Sequence, residues 1–358
     1  MAFHCYLTEG VDTAVIECGI GGEYDSTNVL VKPSVTAVTS LSIDHTAMLG
    51  DTIDSIAWHK SGIFKDGVPA FSAPQPEVAV EVLRRRAGER QTSLQVVSRL
   101  PALDFVTLGL AADFQQVNAS LAVAVAAQHL INAGVGDIPD DITACKTLPD
   151  SFREGLQQVN LRGRCETRPD VSSNLTWYID GGHTLESIEM AGRWFASLIS
   201  PKSGSPAGKA SIRILIFNQQ TRDAGALARK LHDTLAKALD QGQPFTNVIF
   251  CTNTTYAETG FRPDLTSINT NAADVEALSV QNALAATWKE IDSAAEVKVE
   301  RTIDRAISSA RRVAAEAQSQ HGDNVKVLVT GSLHLVGGVI EVLESEMEKA
   351  KAETKGAQ

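Results

Sequence analysis

Residues 211–251 decide the fold of this chain, and their sequence is SIRILIFNQQTRDAGALARKLHDTLAKALDQGQPFTNVIFC. The stretch contains a β-branched run at Ser211–Phe217, a helix-period segment at Ala224–Leu239 and a second apolar run at Asn247–Cys251. Two strands that are joined by a helix of this length form a βαβ unit, in which the strands lie parallel. The stretch therefore predicts an α/β fold built on a mainly parallel sheet.

The same alternation of short apolar runs and longer helical segments continues through most of the chain. The other predicted strands are Thr13–Ile16, Val35–Thr39, Leu175–Ile179 and Val325–Thr330. The other predicted helices are Gln115–Ile131, Leu185–Leu198, Ala272–Ile291, Thr302–Ser319 and Leu335–Ala350. This order of elements is typical of parallel sheets whose strands are connected by helices.

The length of the chain predicts two domains. Its 358 residues exceed what one compact core usually holds. Periodicity is weakest around Gln157–Gly163, between two series of strands and helices. We therefore expect one domain over residues 1–158 and a second over residues 159–358.

Composition excludes several classes of protein. The chain has 32 Lys and Arg against 43 Asp and Glu, a net charge of −11, which argues against a nucleic-acid partner. Its five cysteines form no C-x-x-C pair, so reduced thiols are expected in place of disulfides or a zinc site. No apolar run is long enough to predict a membrane span.

Two glycine-rich segments could be read as phosphate-binding loops, but neither matches a phosphate-binding motif well. Cys18–Gly22 follows a predicted strand, but it lacks the third glycine of G-x-G-x-x-G and no helix follows it. In Gly204–Lys209 only three residues separate the glycines, and the segment precedes a strand. No G-x-x-x-x-G-K-[ST] motif occurs in the sequence.

Glu17 and His45 are candidate metal ligands. Glu17 ends the first predicted strand, and His45 follows the next long apolar run. Because the carboxyl ends of parallel strands face the ligand crevice, the two side chains can converge on one cation. The alternative is a strand-end carboxylate and a bystander histidine beside a helix N-cap, and histidine is an unusual ligand for Mg²⁺. Lys60, taken alone, indicates a solvated or ion-paired lysine.

Several blocks of sequence, in order, resemble the folylpolyglutamate synthases, ATP-dependent amide-forming ligases of the Mur-ligase family. They cover most of the chain. The blocks are VDTAVIECGIGG at 11–22, DSTN at 25–28, SIDH at 42–45, LGDT at 49–52, IAWHKSGIFK at 56–65, LRGRCE at 161–166, WYIDGGHT at 177–184, FN at 217–218 with RD at 222–223, and TGSLHLVGG at 330–338.

The resemblance implies a fold and an activity. It implies an incomplete, mainly parallel-sheet ATPase domain of the Mur-ligase type over 1–158 and a Rossmann-like glutamate-ligase domain over 159–358. Such enzymes add glutamate to the γ-carboxylate of tetrahydrofolate polyglutamates. ATP phosphorylates that carboxylate, and the glutamate amine then attacks the acyl phosphate. The implied cofactors are ATP and Mg²⁺, and the implied small-molecule substrates are the folate and L-glutamate.

The resemblance also assigns roles in the first domain. Glu17 and His45 match the Mg²⁺ ligands. Lys60 matches a lysine that becomes carbamylated, which turns a cation into a carboxylate-like group that can support a metal. Since carbamylation needs a neutral amine, the lysine should be partly buried. Asn118 matches a residue that faces the adenine; its alternative role is a hydrogen bond at a helix N-terminus.

Five residues of the second domain match the family's functional positions. Arg164 matches an arginine that contacts the ATP phosphates, although an exposed ion pair is its simplest alternative. Asp180 and His183 match a pair at the nucleotide face, with an N-cap aspartate as the alternative. Ser332 and His334 match the loop that meets the incoming glutamate, where a plain strand-to-helix turn is equally compatible with the sequence.

Family members carry an N-terminal region with a P-loop before the segment that Met1–His4 resembles, so this chain is expected to begin inside the ATPase domain. Three hypotheses stay open: a synthase whose start is missing, a short paralogue that binds folate, glutamate or a full-length partner without turnover, and a non-productive remnant. A monomer is expected. A cytoplasmic location is expected as well, with a mitochondrial form left open.

Overall fold

The computed structural model describes residues 1–110, 112–200, 212–220, 222–240, 242–256, 276–321 and 325–356. The chain forms two compact units: Met1–Leu108 with Asp113–Gln158, and Val159–Gln358 with Gly109–Ala112. The glycine-rich segment Gly204–Lys209 and the first part of the predicted helix Ala272–Ile291 lie outside the described residues. No helix in the described ranges is long and apolar enough to span a membrane.

The first unit is a short parallel sheet with helices on both faces. Its strands pair in the order β1-β2-β3. The elements are α1 (Ala2–Glu9), β1 (Thr36–Val38), α2 (Thr46–Leu49), α3 (Ile53–Lys60), β2 (Ala70–Ser72), α4 (Glu77–Glu89), β3 (Leu94–Val96), α5 (Gln115–Asn132) and α6 (Asp150–Gln158). Successive side chains of a strand point to opposite faces, so Ala70 packs in the core formed with α3 and α4, and Phe71 in the core formed with α5.

The predicted strand Thr13–Ile16 is wrong. Residues 11–18 are irregular, and Val15 is 93% exposed. A strand needs a neighbour that pairs with its backbone, and β1 pairs only with β2 within the described residues. The second predicted strand, Val35–Thr39, exists but is limited to Thr36–Val38, the three residues that pair with β2.

The second unit contains one six-stranded sheet in the order β4-β5-β9-β6-β7-β8, parallel except for β4. This arrangement confirms the predicted α/β fold with parallel-dominated sheets. Its elements are β4 (Glu166–Pro169), β5 (Leu175–Ile179), α7 (Leu185–Ile199), β6 (Arg213–Phe217), α8 (Ala224–Leu239), β7 (Asn247–Cys251), α9 (Ser279–Ile291), β8 (Glu296–Glu300), α10 (Ile303–His321), β9 (Val325–Thr330) and α11 (Leu333–Gly356).

The helices of the second unit divide between the two faces of its sheet. Trp177, Ile216 and Val329 pack with α10 and α11 in one core. The neighbouring strand residue Tyr178 points to the other face, where its ring contacts Trp194 and Phe195 of α7. Both faces of the sheet are therefore covered, as a parallel sheet requires.

The order of the strands creates a switch point at their carboxyl ends. β9 lies between β5 and β6, and the chain leaves β5 toward α7 but leaves β9 toward α11 on the opposite face. Neighbouring strands whose connections diverge in this way leave a crevice at their carboxyl ends, where open α/β sheets bind ligands. The residues that follow these strands are Asp180, Asn218 and Gly331.

A buried ionic network joins the β4–β5 turn to α10 and α11. The carboxylate of Asp170, whose side chain is 0% exposed, accepts hydrogen bonds from Arg311 Nη2 at 2.8 Å and Trp177 Nε1 at 2.8 Å. Arg311 also pairs with Glu346 at 2.7 Å. Burial alone would raise the pKa of Asp170, but the Arg311 and Trp177 donors outweigh it and lower that pKa.

We predict that Arg311→Leu lowers the free energy of unfolding by about 1–3 kcal/mol at pH 7, because the Asp170 carboxylate loses its charge partner and keeps only the Trp177 and Ser172 donors. Urea denaturation measures this loss. The double variant Arg311→Leu/Asp170→Asn should recover part of it, since no buried charge remains. Because the folded pKa of Asp170 is lowered, the parent should keep this stabilisation above the unfolded pKa and lose it as pH falls through the folded value. Equal stability of Arg311→Leu and the parent would refute the network's role.

Candidate functional site

In the first unit, the glycine loop Gly19–Asn28 packs against the end of α3. The Glu23 amide donates to the carbonyl of His59 at 2.8 Å. Asn28 Nδ2 donates to the carbonyl of Gly62 at 3.1 Å. A Cβ at Gly22 would lie 2.8 Å from the Lys60 carbonyl oxygen. Glycine at position 22 therefore allows the backbone of the loop to approach the backbone at the end of α3 closely.

Asp25 organises this loop. Its carboxylate accepts hydrogen bonds from the Thr27 hydroxyl at 2.6 Å and from the amides of Thr27, Ile20 and Gly19 at 2.8–3.0 Å. The Thr27 hydroxyl, opposed by slight burial and aided by the three amides, lowers the pKa of Asp25 to about 2. Asp25 also caps the short 3₁₀ helix Ser26–Val29. Its role in the structure is thus to hold the loop closed on itself.

The glycine loop borders a cavity of about 380 Å³. Its lining is mostly apolar and includes Met48, Leu49 and His59 together with loop residues 19–22 and 24–26. The Tyr24 ring lies edge-on to the His59 ring, with 5.9 Å between their centroids. The cavity is open to solvent, since the Tyr24 and Met48 side chains that line it are exposed. Sequence reasoning missed this cavity because it tested the loop only as a phosphate-binding turn.

Glu17, His45 and Lys60 lie in three different segments of the first unit. Glu17 is exposed in the irregular segment, so the expectation that it ends a strand is wrong. His45 is exposed and begins α2 in a left-handed conformation (φ 54°), with its Nε2 3.8 Å from Asp44 Oδ2. Lys60 ends α3 and is half-buried. Within the described ranges, no hydrogen bond or ion pair joins any two of these three residues.

No group of three or more His, Cys, Asp or Glu side chains in the described part of the chain is placed to hold a metal ion. The predicted site contains only two side chains of these types, Glu17 and His45, and completes its set with a modified lysine. The metal site therefore stays a prediction.

Asn118 lies in the first turn of α5. Its Nδ2 donates to Gln115 Oε1 at 2.9 Å, and the residue is half-buried. This contact is the hydrogen bond at a helix N-terminus that the sequence left open as an alternative. A role beside the adenine stays a prediction.

In the second unit, Asp180 is the buried centre of the switch point, with 6% of its surface exposed. Its Oδ1 accepts from the amide of Gly182 and its Oδ2 from the amide of Cys165, both at 2.9 Å. Burial raises the pKa of Asp180, and these donors and the charge of Arg164 offset part of the rise. The alternative that Asp180 caps the next helix is wrong, because Thr184 caps α7. A perturbed carboxyl at such a position is typical of a functional site.

Arg164 and His183 lie in the two loops that meet at Asp180. A Cβ at Gly181 would overlap Arg164 Nη1, so the guanidinium lies directly against the Gly181 backbone. His183 Nδ1 lies 2.8 Å from the carbonyl of Gly181. Since a carbonyl oxygen can only accept, Nδ1 donates, and in the neutral ring Nε2 is the nitrogen that can take up a proton.

Ser332 lies in the turn between β9 and α11, and His334 is the second residue of α11. Ser332 is buried, and its Oγ accepts from the amide of His334 at 3.2 Å, while the His334 side chain is exposed. Gly331 has φ 110°, and a Cβ there would lie 2.7 Å from the carbonyl oxygen of Asn218. The turn therefore requires glycine, and the structure shows the strand-to-helix turn that the sequence left open. Contact with glutamate stays a prediction.

A buried amide network at the ends of β6 and β7 was missed by sequence reasoning. Asn218 Nδ2 donates to Asn253 Oδ1 at 2.8 Å, and Gln281 Nε2 donates to Asn218 Oδ1 at 2.8 Å. Asn218 and Gln281 are both fully buried. The FN block at 217–218 was a signal for Asn218. Gln281 had no signal, because it comes from α9, more than 60 residues away in the chain.

The order and direction of its strands assign the second unit to a class of α/β fold. The mainly parallel sheet with helices on both faces makes it a Rossmann-like α/β unit, and a buried carboxyl, an arginine and a histidine lie at its switch point. A scan against models of protein families gives no match.

Similarity to curated proteins is extensive. The chain is 41% identical over 345 residues to the folylpolyglutamate synthase of Neurospora crassa and 39% identical over 345 residues to that of Saccharomyces cerevisiae. Each alignment covers 96% of this chain but 63% and 60%, respectively, of the relative. By sequence, the chain is therefore similar to the folylpolyglutamate synthases along nearly its whole length, and it spans about three fifths of the length of these curated relatives.

A solved structure shares the fold. The folylpolyglutamate synthase of Mycobacterium tuberculosis, complexed with ADP and AMPPCP, superposes with a TM-score of 0.68 at 22% sequence identity. The match covers 96% of this chain and 71% of that chain. The sequence similarity and the shared fold agree with the resemblance that the motifs indicated.

We predict that Gly62→Ala disrupts the glycine loop, because the new Cβ would overlap the Cα of Glu23. The expected loss is about 1–3 kcal/mol of unfolding free energy in urea, as for other overpacked sites. Gly88→Ala is the matched control: its Cβ would meet nothing within 4 Å in α4, so it should stabilise the fold by about 0.5–1 kcal/mol. A Gly62→Ala variant as stable as the Gly88→Ala variant would contradict the packing described for the loop.

Proposed function

We propose that this chain is part of an ATP-dependent ligase that adds glutamate to the γ-carboxylate of tetrahydrofolate polyglutamates. The observation that carries the proposal is the 41% identity to a folylpolyglutamate synthase over 96% of the chain. In the proposed reaction the γ-phosphate of ATP passes to the folate carboxylate. The glutamate amine then attacks the acyl carbon, and ADP and phosphate leave. Because the chain spans 63% of that relative, the activity is proposed for the protein as a whole.

The second unit would supply the groups that handle charge and protons. Arg164, packed against the Gly181 backbone, would contact the ATP phosphates and offset their charge. The hydrogen bond from His183 Nδ1 to the Gly181 carbonyl fixes the orientation of the imidazole ring. His183 Nε2 would then accept the proton that the glutamate ammonium loses. Asp180, fixed by two amides, would act beside them at the nucleotide face. Ser332 and His334 would meet the incoming glutamate.

The first unit would supply the metal and nucleotide contacts. Glu17 offers the carboxylate oxygen that Mg²⁺ prefers, and His45 would be a less usual nitrogen ligand. Bound Mg²⁺ would offset charge on the phosphate oxygens. A carbamylated Lys60 would support the metal, and its half-buried position at the end of α3 suits that modification. Asn118 would face the adenine.

The proposed partners are ATP, tetrahydrofolate polyglutamates and L-glutamate, bound by a monomer. None of the five cysteines forms a disulfide. A cytoplasmic or mitochondrial compartment, where thiols stay reduced, is therefore proposed as its location.

Calorimetry on the chain can test the proposal with a non-hydrolysable ATP analogue, tetrahydrofolate diglutamate and L-glutamate, added singly and together. We expect the nucleotide analogue to bind in the presence of Mg²⁺, and Arg164→Gln to weaken that binding about tenfold, because a charge-assisted contact to phosphate is lost. Arg153→Gln is the control, since Arg153 is a partly exposed residue of α6 whose side chain pairs with Asp150 in the described structure. Binding of none of the three ligands would contradict the proposal.

Carbamylation of Lys60 has a direct spectroscopic test. With ¹³C-bicarbonate present, we expect one carbamate resonance in the parent protein and its loss in Lys60→Met. Lys65→Met should keep the resonance, because Lys65 already donates to the carbonyl of Asn28 at 3.1 Å. A parent spectrum without a carbamate signal at saturating bicarbonate would rule the modification out.

A further inference from the structure

Cys165 has a backbone conformation that is uncommon for a residue with a side chain. Its φ is 48°, in the left-handed region, and it is 6% exposed. The segment Leu161–Glu166 holds it there: the Arg164 amide donates to the carbonyl of Leu161 at 3.1 Å, and Glu166 Oε2 accepts from the amide of Gly163 at 2.9 Å. Non-glycine residues in this conformation cluster at functional sites and persist only where the surroundings hold them.

The conformation points two donors of Cys165 at one oxygen. The Cys165 amide lies 2.9 Å from Asp180 Oδ2, and the Cys165 sulfur lies 3.6 Å from the same atom. The other carboxylate oxygen of Asp180 accepts from the amide of Gly182. Both oxygens are therefore held, and the plane of the carboxylate is determined by the Cys165 and Gly182 backbones.

The two loops that carry these residues are tied together a second time. The Gly181 amide donates to the carbonyl of Gly163 at 2.9 Å, and the Arg164 guanidinium lies against Gly181. The position of the Arg164 guanidinium relative to the Asp180 carboxylate therefore depends on the conformation of the loop 161–166. Cys165 is the residue of that loop that touches the Asp180 carboxylate.

We propose that Cys165 is a positioning residue: its left-handed backbone and its thiol orient the Asp180 carboxylate at the switch point. The inference rests on the proposed function, in which Asp180 and Arg164 act together. Besides the Cys165 and Gly182 amides, the charged and titratable groups that act on Asp180 are Arg164 and the Cys165 thiol, while the His183 ring is turned to the Gly181 carbonyl. The thiol donates to the ionised carboxylate and so favours that form.

Titration of Asp180 tests the positioning role, with ¹³C-labelled aspartate and Asp180→Asn to assign the resonance. We expect Cys165→Ala to shift the pKa of Asp180 upward, because a donor to the ionised form is lost, and Cys165→Ser to return it toward the parent value. Cys251→Ala, which removes a buried thiol at the end of β7, is the matched control and should leave the titration unchanged. An Asp180 titration that is the same in Cys165→Ala and the parent would overturn the proposal.

Cys165→Gly keeps the test valid if Cys165→Ala folds poorly. Glycine adopts φ near 48° without steric cost, so this variant should keep the backbone of the loop while it removes the thiol, and the pKa of Asp180 should still shift upward. If Cys165 had a purely structural role, the titration of Asp180 would stay at the parent value in this variant.

Ligand affinity separates this inference from the proposed function. We expect Cys165→Ala to weaken L-glutamate or nucleotide-analogue binding several-fold, with recovery in Cys165→Ser. A shifted titration with unchanged affinities would support the orientation of Asp180 by Cys165 and would count against the assigned role of Asp180 in the ligase reaction.

Discussion

The second unit depends on the pairing of β9 with β5 on one side and with β6 on the other. Each ladder joins five residue pairs, and both are parallel. Because the last strand of the chain is inserted between the first two parallel strands, its own connection to α11 lies on the face of the sheet opposite to α7, which follows β5. The crevice that receives Asp180, Asn218 and Gly331 is a consequence of that insertion.

Close backbone contacts then determine the shape of both sites. In the first unit, Gly22 and Gly62 let the glycine loop lie against the end of α3. In the second, Gly181 lets the Arg164 guanidinium lie on the backbone, and Gly331 lets the β9 turn approach Asn218. A side chain at any of these positions would have to displace backbone or a packed group, so the glycines are steric requirements of the sites.

Elements with a clear period and a partner in the same sheet were predicted well. Asn247–Cys251, Val325–Thr330 and the helix Ala224–Leu239 have the bounds that their hydrophobic patterns indicated. The prediction of a strand at Thr13–Ile16 was wrong, because an apolar pattern shows only which side chains a strand could bury. Whether a strand forms also depends on a neighbouring strand that pairs with it, and the local sequence does not show that neighbour. The short strands β2 and β3 were missed, since three residues carry too little periodicity to stand out.

The sequence by itself determined the α/β class, the family likeness and the residue types at the strand ends, because hydrophobic period and motif order are local properties. Only the tertiary structure decided that Asp180 is buried between the amides of Cys165 and Gly182 and that Asn218 bonds to Gln281. It also decided that the glycine loop borders a cavity. These features arise from segments that are distant in the chain, and their distances and desolvation exist only once the chain has folded.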